Sequence, residues 1–587
     1  MPVYRFGPFR LDPMRRLLTK GDEPVPLPSK AFDLLLVLVQ HGGAALHKGD
    51  LLRMVWPDAR VEEGNLSQTV FVLRKVLGER PNEHRFVVTI PGFGYRFVTP
   101  VTWDRASGEE EPGPAKDPRA SSARGTLPSL AVLPFASLGA AAGDEYIELG
   151  ITDALITKLG SVRGVTVRPT TAVLKYHERR TDPLVAASEL AVDVILNGTI
   201  QRSADRIRVG VHVISGHDGS MLWAGHFEEK LTDLFAVEDS IADQVTRALT
   251  LTLTDDERQR LARRNTENTH AYHAFLKGRF FWNKRTEEGL RKGIAQFDDA
   301  ITHDPDYALA YVGLADSYNL LCAYGALPPQ EGFPRARQAA ERALALDERL
   351  AEAHTSLAYA TLHFYWDWPA AQREFLRALS LNANYATAHQ WYGGYLAALG
   401  QFDESMAEIE QAHQIDPVSL MINADLGWLS FFARRHDRAI EHLKKTIEMD
   451  PNFALAYWLL GLNKEQKGLL EDATTEFRKA VSLSQDIPFA LASLGHVLGR
   501  AGKRDEALAA LQDLRRLSAR RYVSPHSIAT VYVGLGQTNE AIEWLNRAAD
   551  ERSNWMIFLN VDPVFDPLRA EPRFKQIADR IAGQPLG

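Results

Sequence analysis

Hydrophobic and polar positions alternate along this chain with three different periods, one for each region. At about 100° per residue, Leu66, Val70, Leu73 and Leu77 fall on one narrow stripe, while Gln68, Phe71 and Lys75 fall on the opposite side. That spacing predicts a helix over 64–77 with one core face and one face available for contact. Ahead of it the pattern predicts a strand at Val3–Phe6 and helices at Ser29–Gln40 and Lys48–Val55; behind it, residues 89–97 form a hairpin around Pro91-Gly92-Phe93. From Ser129 the runs shorten and alternate. Strands are expected at 129–135, 165–168, 194–200, Arg206–Ser215 and 221–228, with helices at 145–159, Pro183–Leu190 and 231–251. The order β-α-β-α-β-β-β-α indicates a mixed-sheet α/β middle domain over 129–255, and Gly216-His217-Asp218-Gly219 is a hairpin turn.

From about Thr269 the period is that of stacked helical hairpins. Asp304-Pro305, Asp416-Pro417 and Asp450-Pro451 close successive helix pairs; the last two are 34 residues apart, and Asn382 stands 34 before Asp416. Small and apolar residues recur at matching offsets: Gly393, Ile409 and Ala412; Gly427, Ala439 and Leu443; Gly461, Ala473, Phe477 and Ala480. This resembles the tetratricopeptide repeat family over 269–550, about eight units. An insertion at 325–332 interrupts the second, and 551–587 is expected to cap the array. The resemblance implies a superhelix that takes a protein or peptide partner. Tyr311, Tyr318, Trp391, Tyr392, Tyr457 and Trp458, on first helices, either line its concave groove or pack between repeats.

Residues 104–128 are rich in Gly, Pro, Ser, Ala and charge and predict a flexible linker. It separates regions of opposite charge. The net charge of −8 divides into 14 basic against 10 acidic residues over 1–103, leaving 53 against 65. Attraction to phosphate is thus local to the N-terminal domain. No run of 18 apolar residues occurs and the start lacks the layout of a secretion signal, so a cytoplasmic chain with no membrane partner is expected. The single cysteine, Cys322, excludes an internal disulfide.

Three helices and a hairpin, with Leu73-Arg74-Lys75 and Gly94-Tyr95-Arg96-Phe97, resemble the OmpR/PhoB-type winged helix-turn-helix (α+β) domain also found in ToxR/CadC-like regulators. The resemblance covers nearly all of 1–103. It implies that the third helix enters a major groove of double-stranded DNA and the wing meets the neighbouring minor groove. It also implies that the loop 56–63, with Asp58, Arg60, Glu62 and Glu63, touches RNA polymerase. This chain departs from the family where arginines often read bases: Phe71 and Val72 occupy the middle of the helix, and Pro91 replaces a wing arginine. Base contact is then expected from Ser67 and Gln68, with Phe71 or Val72 against thymine methyls, and phosphate contact from Arg74, Lys75, Thr89 and Arg96. Two plainer readings stay open: Phe71 packs on Phe93, and Arg74 and Lys75 are a solvated face.

A search for chemistry finds no Gly-x4-Gly-Lys-Ser/Thr loop and no Gly-x-Ser-x-Gly elbow. His270 and His273 lack a third ligand nearby, Asp153 suits the polar face of a helix better than a catalytic acid, and Asp298-Asp299 suits an exposed repeat surface. No catalytic residue, metal site or cofactor is expected. Ala131-Val-Leu-Pro-Phe135 and Gly150-Ile-Thr-Asp-Ala-Leu-Ile156 resemble the TolB-like domain, which implies an accessory module; with no phosphoacceptor domain ahead of the winged helix, the signal is expected to enter downstream. The expectation is a multidomain, one-component transcriptional regulator, possible as a homodimer on DNA, and not an enzyme. The alternative is an interaction scaffold whose winged helix contacts protein.

Overall fold

The computed structural model describes residues 3–13, 15–21, 23–25, 27–40, 45–55, 63–79, 86–90, 94–99, 101–104, 129–138, 145–160, 162, 165–177, 181–203, 206–230, 234–249, 266–484 and 487–582. They divide into two compact units, Met1–Gly125 and Thr126–Gly587. The expected linker, beyond Asp104, lies outside the described residues, as does the expected polymerase loop from 56 to 62.

In the first unit, strands β1 (Val3–Phe6), β2 (Phe9–Asp12), β3 (Leu17–Lys20) and β4 (Glu23–Pro24) run as an antiparallel meander, and β8 (Val101–Asp104) pairs on the other side of β1, giving the order β4-β3-β2-β1-β8. Only β1 of these strands was legible in the pattern. The helices α1 (Ser29–Gln40), α2 (Lys48–Val55) and α3 (Glu63–Leu77) follow, and a second sheet is ordered β5-β7-β6 from β5 (Ala45–His47), β6 (Val87–Ile90) and β7 (Gly94–Phe97). Leu34, Leu35, Leu66, Val70 and Leu73 interleave with Phe6, Phe9, Phe86 and Phe97, all buried. The Phe6 and Phe97 rings meet edge to face at 5.1 Å.

The second unit begins with a mixed sheet in the order β11-β9-β12-β13-β14, from β9 (Ser129–Val132), β11 (Thr166–Val167), β12 (Val194–Ser203), β13 (Arg206–Ser215) and β14 (Met221–Lys230); β10 (Ala136–Ser137) pairs with β12. β9 is parallel to β11 and β12, whereas β12, β13 and β14 are antiparallel. Helices α4 (Glu145–Gly160), α5 (Thr170–Val173), α6 (Pro183–Leu190) and α7 (Leu234–Ala248) complete this module.

Eight helical hairpins follow, from Thr269–Asn283 with Glu287–His303 to Pro525–Gly534 with Thr538–Asp550. The Asp-Pro positions close them by a local mechanism: the side chains of Asp304 and Asp450 each accept the amide two residues on, at 3.1 and 2.8 Å, an Asx turn that stops the helix. Close packing explains the recurrent glycines, since a Cβ on Gly461 would lie 2.6 Å from the Phe477 ring. Half of the insertion at 325–332 is helix, because Pro329 opens the first turn of Pro329–Leu346.

The middle module is seated on this array. Arg168 donates to the carbonyls of Leu190, Ala191, Gln414 and Ile415, and Thr171 donates to Asp416 at 2.9 Å. Asp153, expected on the polar face of a helix, lies on α4 and faces the repeats. It is buried and takes both Arg279 of the first repeat, at 2.9 and 3.1 Å, and the Thr170 hydroxyl. An uncompensated buried carboxylate would be costly, so its partner is built into the neighbouring element.

Candidate nucleic-acid interface

The sorting of α3 into two faces is complete. Leu66, Val70, Leu73 and Leu77 are each at most 4% exposed, whereas Phe71 is 64% exposed. Ser67, Gln68 and Lys75 are also exposed, and Val72 is half-buried. Gln68, Phe71 and Lys75 thus form one outward ridge at i, i+3 and i+7. Phe93 lies outside the described residues, and the exposure of Phe71 leaves its ring outside the core of the unit.

The helix stops where Gly78 takes a φ of +79°, with its amide on the Lys75 carbonyl and the Glu79 amide on that of Arg74. This turn swings Glu79 back under the wing. Its side chain is fully buried and accepts the backbone amides of Phe86 and Val87, the latter at 3.1 Å. Its second oxygen lies 3.5 Å from the Arg74 guanidinium. Arg74 in turn donates to the Val87 carbonyl at 2.8 and 3.1 Å and to the Thr89 hydroxyl at 2.8 Å. Arg74 and Thr89, both expected on phosphate, therefore engage each other and fix β6 against the end of α3.

Sequence reasoning missed Glu79, which holds β6 to the end of α3, and the glycine just before it was the available signal. Ser67, expected on a base, places its hydroxyl 3.3 Å from that of buried Tyr95 on β7. Arg96, half-buried, lies on the central strand β7 opposite Val88 and Ala45. Gly94 is required where β5 and β7 approach, since a Cβ there would meet the Leu46 carbonyl oxygen at 2.0 Å. Of the polymerase-loop residues, Asp58, Arg60 and Glu62 lie outside the described residues and Glu63 is the first residue of α3.

Elsewhere the candidate reactive groups are occupied structurally. The His273 ring faces the Tyr146 hydroxyl at 3.2 Å, His270 packs on His303, and Asp298 and Asp299 are exposed. Burial pushes the Cys322 thiol up to about 12, far from a reactive thiolate. Among the described residues no group of three or more His, Cys, Asp and Glu side chains could hold a metal ion. None of their helices is long and apolar enough to cross a membrane.

Comparison with known proteins agrees with this geometry. Residues 22–97 match the family "Transcriptional regulatory protein, C terminal", residues 126–244 the "HilA/YgeH-like transcriptional regulator, second domain", and residues 425–488 and 526–554 two tetratricopeptide-repeat families. An OmpR/PhoB-type winged helix, a mixed-sheet module and a repeat array together define the class: a DNA-binding transcriptional regulator. Within that class the likeness extends end to end to the transcriptional regulator HilA of Salmonella typhimurium, 24% identical over 94% of this chain and 95% of the relative. The transcriptional activator CadC of Escherichia coli is 29% identical over 19% of this chain and 22% of its own length. A putative adenylate cyclase 3 of Rhizobium meliloti is 34% identical over 26% of each chain.

Proposed function

We propose that this regulator sets α3 into the major groove of promoter DNA, with Ser67 and Gln68 at base edges, Phe71 or Val72 against thymine methyls, and Lys75 on phosphate. Arg96 and the ribbon β6–β7 track the adjoining backbone, and Arg74 and Thr89 aim that ribbon from within. The observation that carries the reading is the ridge of α3. Phe71 is the most exposed of the large apolar side chains among the described residues, and it stands between an amide and an ammonium. An apolar ring flanked by polar donors matches a groove that offers methyl groups beside acceptors and phosphates.

The repeat array serves a protein or peptide partner, the loop 56–63 meets RNA polymerase through Asp58, Arg60, Glu62 and Glu63, and two copies bind repeated half-sites. The chain works in the cytoplasm as a one-component regulator without catalysis of its own. Acid-rich surfaces beyond the first unit restrict phosphate attraction to the winged helix.

The test separates phosphate contact from base reading. Lys75→Glu should weaken binding to all duplexes and lower the slope of log affinity against log salt by about 0.9. Phe71→Ala should leave that slope unchanged while reducing the preference for the cognate site. Equal retention of wild type and Lys75→Glu at low ionic strength would overturn the reading.

A further inference from the structure

The segment after the eighth repeat, expected to cap the array, packs on that repeat through Arg580 with Asp550 and Phe565 with His526, and also runs back across the first helices of earlier repeats. Its short 3-10 helix, Asn554–Phe558, eclipses residues three apart, so Trp555 and Phe558 project on one side. The Trp555 ring lies 5.8 Å from Trp428, 5.9 Å from Trp458 and 5.8 Å from Phe489, which belong to the fifth, sixth and seventh repeats. Phe558 stacks on Phe432 at 4.9 Å with an interplanar angle of 11°, and meets Trp428 edge-on at 4.8 Å.

Polar contacts hold the same path. The Asn554 carbonyl lies 3.1 Å from Nδ1 of buried His363 in the third repeat, and Arg434 of the fifth pairs with both carboxylate oxygens of Asp566 at 2.7 and 2.8 Å. Beyond the last repeat, the segment reaches five positions back. A cavity of about 40 Å³, lined partly by Trp428, Phe432, Trp458 and Trp555, remains beneath it.

We propose that residues 553–568 are a ligand held in cis: they fill the surface that takes a partner peptide bearing two aromatic residues three positions apart and a following carboxylate, and the partner binds by displacing them. This rests on the reading of the repeats as a partner surface. Covalent tethering gives the segment an effective concentration on the order of millimolar, so the surface stays closed to a weak partner until the segment is loosened.

The probe is a fluorescein-labelled synthetic peptide with the sequence of residues 553–568, added to the full chain. Wild type should bind it weakly, the double variant Trp555→Ala/Phe558→Ala at least tenfold more tightly, and Asp566→Asn a few-fold more tightly. Equal weak binding by all three folded chains would overturn the proposal. So would loss of the repeats' cooperative unfolding transition in both variants, since the segment would then be part of the array's core. Duplex retention, read in the same samples, reports the winged helix separately.

Discussion

Arg74 and Lys75 are neighbours of the same charge in the last turn of α3, and the structure gives them different work. By helical geometry Lys75 lies about 170° from the centre of the buried stripe and Arg74 only about 70°. The first is directed outward, while the second flanks the core and reaches β6. The angles were legible in the sequence. What was not legible was Glu79, because its burial depends on the turn at Gly78 and on amides of Phe86 and Val87 that only the fold brings near. Glu79→Ala leaves those two amides and the Arg74 guanidinium without their carboxylate. We expect a loss of about 2–4 kcal/mol in urea unfolding of the N-terminal unit. Because the lock aims the wing, duplex affinity at a temperature where the variant stays folded should fall as well. Full affinity in a folded Glu79→Ala chain would mean that wing position does not matter to DNA binding.

Helices were recovered better than strands, for a reason visible in particular elements. Ser29–Gln40 and Lys48–Val55 carry apolar residues over two or more turns, long enough for the 3.6 period to declare itself, and their limits agree with expectation. β2 is Phe-Arg-Leu-Asp, a buried-exposed alternation only four residues long, and β4 has two residues. Such fragments become strands because a neighbouring strand offers a partner, β1 for β2 and β3 for β4, a fact that the pattern within each fragment does not contain. The repeats were countable because the boundaries at Asp304, Asp347, Asn382 and Asp450 each carry an Asx turn. β5 was also hidden, yet it makes Gly94 a sensitive position in the wing. A methyl there would overlap the Leu46 carbonyl and force β5 and β7 apart. Gly94→Ala should therefore destabilise the unit by about 1–3 kcal/mol in thermal or urea unfolding. A neutral result would show that the two strands separate without cost.

The second unit joins its α/β module to its repeats through buried polar groups, which makes its stability depend on pH. Glu238 of α7 is 1% exposed and accepts the hydroxyl of Tyr272, on the first repeat helix. Burial raises its carboxyl to about 7, against the opposing pull of Lys158 and the Tyr272 hydrogen bond. Since an ordinary glutamate titrates near about 4.3, the folded chain holds more protons than the unfolded chain between these values. The stabilisation is thus fully present below about 4 and is lost as pH rises through about 7, with a total on the order of 3 kcal/mol. Asp425, raised to about 7 by burial, loses stabilisation over the same range. Together with Glu238 it outweighs the opposite trend of His363 and His526, lowered to about 4 by burial but protonated in the unfolded chain below about 6.5. The melting temperature of the second unit should therefore fall between pH 6 and pH 8. Glu238→Gln keeps an acceptor for Tyr272 but does not titrate, so its melting temperature should fall less over the same interval. If wild type and Glu238→Gln decline in parallel, the pH dependence belongs to another group and the contact between module and repeats is indifferent to this proton.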